Sequence, residues 1–135
     1  EMAARAMKTF DRKNGKDNTV YLYKFNPEMP GYDHPGTFHS SDLWFHFETL
    51  AKCWRPFTGK HYDLARQMCN ALCFFIRNGD PNGVDITGLP QPLWKPFTLE
   101  EPNVMFWGDT PRTYLESSDE LKDLLVEIYV SQVEG

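Results

Sequence analysis

The 135-residue sequence lacks several features that would place it in a particular class of protein. No uninterrupted apolar run reaches the roughly 18 residues that a membrane-spanning helix needs, so we expect no membrane partner. Positive charge is scarce, because 14 lysines and arginines stand against 19 acidic residues and leave a net charge of −5. Nucleic-acid binding depends on clustered lysine and arginine, and the sequence therefore argues against a nucleic-acid partner.

Cysteine is also sparse and is not arranged as a redox or metal motif. The three cysteines, Cys53, Cys69 and Cys73, form no Cys-x-x-Cys pair. An odd number of thiols in a chain of this size favours reduced cysteines and a cytoplasmic location. Cys69 and Cys73 lie one helical turn apart on an apolar face, where we expect them to be buried as small hydrophobic side chains.

The residues that are present favour a single domain built from both helices and strands. Apolar residues make up 41% of the chain and aromatic residues 15%, which is enough to form a core. Apolar periodicity predicts a helix over 2–12, a long helix over 60–78 and a third helix that closes the chain. Strands are predicted over 19–25 and on both sides of the turn Gly-Asp-Thr-Pro at 108–111.

The two later helices have different apolar patterns. Apolar residues go most of the way round helix 60–78, including the run at 74–76, so we expect more than one neighbour to bury it. In the closing helix, Ser117-x-x-Glu120 predicts a capping box at the start. The predicted apolar stripe of the closing helix consists of Leu121, Leu124, Leu125 and Ile128.

Two features indicate that the chain is the C-terminal part of a larger domain. The predicted helix over 2–12 begins without an N-cap residue, as if it started further upstream. Strand 19–25 has no clearly polar face, which is typical of a strand covered on both sides, yet the chain offers only a short hairpin as its sheet neighbour. We therefore expect residues 1–135 to need an N-terminal remainder as a partner, and any signal peptide would lie on that part.

The stretch from Pro35 to Phe47, PGTFHSSDLWFHF, places a histidine between a Pro-Gly turn and an aromatic segment. Loops that follow the strands of an open α/β sheet carry functional sites, and His39 follows strand 19–25. A histidine there suits a general base, because one ring nitrogen can be held while the other faces a nucleophile. Asp42, three residues on, would anchor the loop. Simple packing is the alternative for His39.

Other polar residues in this stretch and directly before it have interpretations that do not involve catalysis. We expect His34 to be solvated, with a role at the mouth of a binding gorge as the alternative, and His46 to be packed while donating one hydrogen bond. Ser40 and Ser41 are expected to bond within the loop, since a nucleophile next to its own base has poor geometry. A metal site could be drawn from these histidines and Asp42, but their spacing matches no zinc pattern, and we predict neither a metal nor a cofactor.

Three short motifs occur in a fixed order along almost the whole chain. The first begins at Gly36 and contains His39 and Asp42, in the pattern Gly-x-x-His-x-x-Asp-Leu-x-Phe-x-Phe. The second is Gly-Asp-Pro-Asn at 79–82, and the third is Trp-x-Pro-Phe at 94–97. Together these motifs resemble the C-terminal third of type-B carboxylesterases, the cholinesterase and para-nitrobenzyl-esterase branch of the α/β-hydrolase fold.

The resemblance implies the C-terminal portion of an α/β-hydrolase fold, with few strands and several helices. It implies a serine esterase that hydrolyses small-molecule carboxylic esters with a Ser-His-Glu/Asp triad and without a cofactor. His39 would be the triad histidine, and Asp42 an acid in the hydrogen-bond network behind the site. The family's chain order is serine, acid, histidine, so the serine, the acid and the oxyanion hole would come from the N-terminal remainder.

The sequence departs from the family pattern in ways that bear on activity. It contains no Gly-x-Ser-x-Gly and no Gly-Gly run, so we expect this chain alone to be inactive. Glu48 stands where the family often has glycine, and His46 stands where it usually has an apolar residue. A non-catalytic binding protein on the same fold, like the cholinesterase-like adhesion proteins, is the alternative, and a serine at the missing elbow would favour the enzyme.

Overall fold

The computed structural model describes residues 1–117 and 119–134. Its helices confirm the predicted helices over 2–12 and 60–78, and both strands of the predicted hairpin are present. A single turn of 3₁₀ helix lies at Leu50–Lys52. The elements follow in the order α1 (Met2–Lys13), β1 (Tyr23–Phe25), α2 (Leu43–His46), α3 (Gly59–Asn78), β2 (Asn103–Trp107), β3 (Arg112–Leu115) and α4 (Glu120–Glu134).

The three described strands form one small mixed sheet with β2 at its centre. Strand β1 runs parallel to β2, with Tyr23 opposite Met105, and β3 pairs antiparallel to β2. The predicted strand over 19–25 is longer than β1, because Val20 forms an isolated bridge with Phe97 instead of joining the ladder with β2. The sheet and its helices make a partial α/β fold.

Helices α2 and α3 cover one face of this sheet and close the main core. Phe45 of α2, Met68 of α3 and Met105 of β2 are all fully buried. Aromatic rings meet edge to face throughout this core, which is a favoured geometry for aromatic pairs. The buried members of the cluster are Met29, Phe45, Leu50, Leu64, Ala65, Met68, Ala71, Trp94, Met105 and Trp107.

Both ends of α3 are fixed by local bonds. The backbone N–H of Thr58, directly before the helix, donates to Nδ1 of His61 at 3.0 Å. At the other end Gly79 has a φ of +72°, a left-handed conformation that glycine adopts without a side-chain clash. Its N–H donates to the carbonyl of Phe75 at 2.8 Å and so ends the helix.

The second and third sequence motifs are bonded to each other and to the sheet. The side chain of Asn82 accepts from the backbone N–H of Trp94 and donates to its carbonyl, both at 2.8 Å. The backbone N–H of Asn82 also donates to the carboxylate of Asp80 at 2.9 Å, within its own turn. The indole N–H of Trp94 donates to the carbonyl of Leu22 at 3.1 Å. These contacts give the two motifs a structural role and connect them to the segment that leads into β1.

Several predictions of burial on α3 are wrong for this chain. Ile76 is 73% exposed and Phe75 43% exposed, and Cys73 is exposed too. Cys69, one turn earlier, is half-buried, and burial together with the neighbouring Cys73 thiol raises the pKa of Cys69 to about 11. The last two turns of α3 are mostly exposed, although Phe75 meets the ring of Tyr21 edge to face.

The prediction for α4 is wrong in its buried face and in its cap. Val126 and Val130 are the buried residues, and they pack on Ala6 of α1. The predicted leucine and isoleucine stripe lies on another side of the helix and is exposed. The helix begins at Glu120, and Asp119 directly before it accepts from the N–H of Lys122 at 2.8 Å, where we had predicted a cap at Ser117.

No helix in the described ranges is long and apolar enough to cross a membrane.

Candidate functional site

His39 lies in a four-residue turn that runs from Phe38 to Ser41 and is exposed, as the sequence predicts. The backbone N–H and the hydroxyl of Ser41 both donate to the carbonyl of Phe38, at 3.1 and 2.6 Å. The Ser41 hydroxyl also accepts from the N–H of Phe38 at 3.3 Å. Ser41 is fully buried. The turn is therefore locked from inside while the histidine stays accessible.

Ser40 makes the direct contact with the histidine ring. Its hydroxyl oxygen lies 2.7 Å from Nδ1 of His39. Its φ of +67° is uncommon for a residue other than glycine, and a positive φ at the third position is what a type II turn requires. Both serines thus bond within the loop, as the sequence predicts.

Asp42 connects this turn to the sheet. Its backbone carbonyl accepts from the N–H groups of Phe45 and His46, at 3.0 and 2.9 Å, and so starts α2. Its carboxylate accepts from the phenol of Tyr23 at 2.8 Å. Burial, and then this hydrogen bond, raise the pKa of the Tyr23 phenol well above its usual value. The phenol therefore stays protonated at neutral pH and remains a donor to Asp42.

His46 is buried beside the same pair. Its ring centre lies 5.4 Å from that of Tyr23, in an edge-to-face contact. Burial lowers the pKa of His46, although the charge of Asp42 and the backbone of Met68 act in the opposite direction. Its Nδ1 has no hydrogen-bond partner among the residues that the structure describes. The prediction that His46 is packed is confirmed.

The histidine just before this stretch is exposed. His34 has a φ of +42° and a solvated side chain, as the sequence predicts. Within residues 1–117 and 119–134, no three histidine, cysteine or acidic side chains come together as a group that could hold a metal ion. The histidines of this stretch and Asp42 do not form such a cluster.

Two polar residues that no sequence motif marks, Arg55 and His61, hold the loop before His39. Arg55 forms a two-bond ion pair with Asp33, at 3.0 and 2.8 Å. The Nε2 of His61 lies 3.2 Å from the carbonyl oxygen of Glu28. Because Nδ1 of His61 accepts from the backbone, we assign the proton to Nε2, which donates to that carbonyl. The one sequence feature that could have indicated a buried ion pair is the arginine between aromatic residues in CWRPF, 53–57.

An apolar cleft of about 300 Å³ opens on the side of the Tyr23–Asp42 pair. Tyr23 and His46 form part of its wall, together with Phe75 and Trp94. The site as a whole therefore offers an accessible imidazole, a carboxylate held by a phenol and an adjoining apolar surface. It offers a proton acceptor, and the sequence supplies no nucleophile elbow to go with it.

The carboxylesterase family matches residues 2–124 of the chain. The chain belongs to the carboxylesterase family. None of the curated proteins compared with it matches. An esterase from the anaerobe Clostridium hathewayi that can hydrolyse aliphatic aromatic polyesters has 26% identity to this chain over 87% of its length, with a TM-score of 0.63.

Further carboxylesterase structures share the fold. Carboxylesterase EST55 from Geobacillus stearothermophilus, at pH 6.8, has 24% identity over 87% of this chain, with a TM-score of 0.61. A PNB esterase has 21% identity over 80% of the chain, with a TM-score of 0.56. This chain spans only 21% to 24% of the length of these carboxylesterases. Its α/β fold is thus part of the α/β-hydrolase fold that they have in common.

Proposed function

We propose that this chain carries the catalytic histidine, His39, of a serine carboxylesterase that hydrolyses carboxylic esters. Membership of the carboxylesterase family supports the reaction class. The observation that carries the proposal is the turn at Phe38–Ser41, which holds an accessible imidazole at the family's motif position. We further propose that residues 1–135 are the C-terminal part of one α/β-hydrolase domain. Its N-terminal remainder supplies the serine, the acid and the oxyanion hole.

In this reaction the imidazole of His39 transfers a proton in each of the two acyl-transfer steps. It takes the proton from the serine hydroxyl as the oxygen attacks the ester carbonyl, and it gives that proton to the leaving alcohol. Water then takes the place of the alcohol: the imidazole takes a proton from the water as its oxygen attacks the acyl carbonyl. It returns that proton to the serine oxygen as the bond to the serine breaks and the acid product leaves. Because both acyl transfers need one group as base and then as acid, His39 is required in each.

Asp42 has a supporting role in this proposal. The Tyr23 phenol donates to its carboxylate at 2.8 Å, and its backbone starts α2 directly after the histidine turn. Asp42 therefore fixes the turn against β1 and does not transfer a proton. The triad acid belongs to the N-terminal remainder, in line with the family's order of serine, acid and histidine.

Replacing His39 by alanine in the complete esterase tests the central assignment. We expect kcat to fall about 10⁴-fold or more, equivalent to about 5–6 kcal/mol of transition-state stabilisation, because both acyl-transfer steps lose their base. KM should change little, since His39 acts on the proton and not on substrate binding. Steady-state hydrolysis of a p-nitrophenyl ester measures both constants. Unchanged activity in His39→Ala would remove the assignment.

The matched variant Asp42→Asn separates orientation from proton transfer. It keeps the size of the side chain and an acceptor oxygen for Tyr23, so we expect a loss of only about 10- to 100-fold in kcat, as found for outer partners of metal ligands. A loss as large as that of His39→Ala would make Asp42 the triad acid. A complete protein without any esterase activity would instead favour the non-catalytic binding protein on the same fold.

A further inference from the structure

Arg55 is a charged residue that the fold buries. It follows the 3₁₀ turn, and only 6% of its side chain is exposed. Its Nη1 and Nη2 donate to the two carboxylate oxygens of Asp33, at 3.0 and 2.8 Å. The same Nη1 donates to the carbonyl oxygen of Pro30 at 3.0 Å. Two parallel bonds from a planar guanidinium fix an orientation that a single ammonium does not.

The guanidinium of Arg55 also reaches the turn that carries the histidine. Its central carbon lies 4.6 Å from the ring centre of Trp54 and 5.6 Å from that of Phe38. Phe38 directly precedes His39, and its carbonyl accepts both hydrogen bonds from Ser41. Arg55 therefore contacts the first residue of the turn and, through Asp33, the loop that leads into it.

The backbone leaves room for this ion pair at one glycine. Gly31 has a φ of +146°, and a Cβ atom there would lie 2.4 Å from Oδ1 of Asp33 and 2.7 Å from Nη1 of Arg55. Both distances are far below an ordinary contact. A Cβ atom at this position would push against the atoms that form the pair, so the pair occupies space that only glycine leaves free.

We propose that Arg55 is a positioning residue for His39. It holds the loop over 30–38 through Asp33, Pro30 and Phe38, so that the turn presents the imidazole in one direction. This inference rests on the proposed function, because it assigns Arg55 to the orientation of the proposed base. Arg55 itself touches no reacting atom.

The test compares kinetics and local protection in the complete esterase. We expect Arg55→Gln and Arg55→Lys each to lower kcat about 10- to 100-fold with KM within about threefold, since a small misplacement of a catalytic group has effects of that size. Hydrogen exchange followed by mass spectrometry should speed up in the peptide over 30–41 while α3 keeps its protection. Arg12→Gln is the matched control, because Arg12 lies on α1, away from this loop, and forms a surface ion pair with Glu100.

A second variant tests the same link with the guanidinium in place. Gly31→Ala should also lower kcat and speed exchange in this loop, because its methyl group meets the Asp33–Arg55 pair and its φ of +146° is one that alanine rarely adopts.

Three outcomes would overturn the inference. In the first, the Arg55 variants and Gly31→Ala keep a kcat within twofold of wild type while His39→Ala is inactive. This result would contradict the role of Arg55 but not the proposed function of His39. The second is a loss of protection that extends equally through α3, since Arg55 would then act on general stability. The third is full activity in His39→Ala, which removes the proposed function and with it this inference.

Discussion

The two serines that follow His39 make different contacts and have different roles. Ser41 is buried and closes the turn through the Phe38 carbonyl, so its side chain is part of the scaffold. Ser40 touches Nδ1 of His39, the nitrogen that donates to the acid in a catalytic triad. If the proposed function holds, Ser40 and the triad acid compete for that nitrogen, and the Ser40 hydroxyl must turn away in the complete site.

His46 gives a pH-dependent prediction. Burial lowers its pKa below the value of about 6.5 that it has when unfolded, so the unfolded chain binds more protons in this range. The stability of the fold is then full above about pH 6.5 and falls as the pH drops below that value. We expect His46→Phe, which keeps an aromatic ring but cannot titrate, to reduce this fall.

Urea unfolding at pH 7.5 and 5.5, followed by tryptophan fluorescence, measures the effect. The control is the wild-type chain, measured beside His46→Phe at both pH values. An identical pH dependence in wild type and His46→Phe would contradict the prediction.

For single residues, the sequence predicted exposure and local hydrogen bonds better than contacts between residues that are far apart in the chain. The exposure of His39 and the local bonds of the serines follow from a short turn, which is encoded within a few residues. The phenol of Tyr23 on Asp42 and the guanidinium of Arg55 on Asp33 join residues that are about 20 apart in sequence. A pattern of spacings does not reveal such pairs, because they exist only once β1, α2 and the 3₁₀ turn are packed together.

At the scale of elements, α2 ends in a strained conformation. Glu48 has a φ of +49°, and the residue after a helix commonly adopts this left-handed geometry as glycine. The side chain of Glu48 accepts from Nε of Arg66 at 2.7 Å, in a partly exposed ion pair of small expected value. The family's frequent glycine at this place therefore has a conformational reason.

Two substitutions separate the backbone strain from the ion pair. Glu48→Ala and Glu48→Gly both lose the contact with Arg66, but only the glycine relieves the left-handed conformation. We expect the glycine variant to be more stable than the alanine variant by about 1 kcal/mol in the free energy of unfolding. Urea denaturation of both variants gives the difference. A glycine variant no more stable than the alanine variant would show that φ at Glu48 carries no cost.

The positions of the helices were the most predictable feature of the fold, and which face of each helix is buried was the least predictable. Periodicity located α1 and α3 to within a residue or two, because it depends on the helix itself. Which face of α4 is buried depends on its neighbour, and α1 packs on Val126 and Val130 instead of on the predicted stripe. The length of β1 depended in the same way on where the partner strand β2 begins.

At the scale of the whole molecule, we expect the 135-residue chain alone to show no esterase activity. Residual catalysis without a complete triad depends on an oxyanion hole, and the sequence contains neither a nucleophile elbow nor a Gly-Gly run. Hydrolysis of p-nitrophenyl acetate by the isolated chain should match the rate of free imidazole, and the His39→Ala chain is the matched control. A burst of p-nitrophenol release that reflects an acylated side chain would contradict this expectation.

The bonds between Asn82 and Trp94 also bear on how the length of this protein can vary. They fasten both ends of the segment between them, in which Val84 is 84% exposed. Doubling a flexible loop whose ends are held adds only about 0.6 kcal/mol of closure entropy. The segment is also bonded to α3, because Asp85 accepts from the side chain of Asn70 and the carbonyl of Pro90 accepts from that of Gln67. Extra residues beside Val84 would extend into solvent only if they leave these two contacts in place. Under that condition the segment can accept an epitope or a tag on this chain.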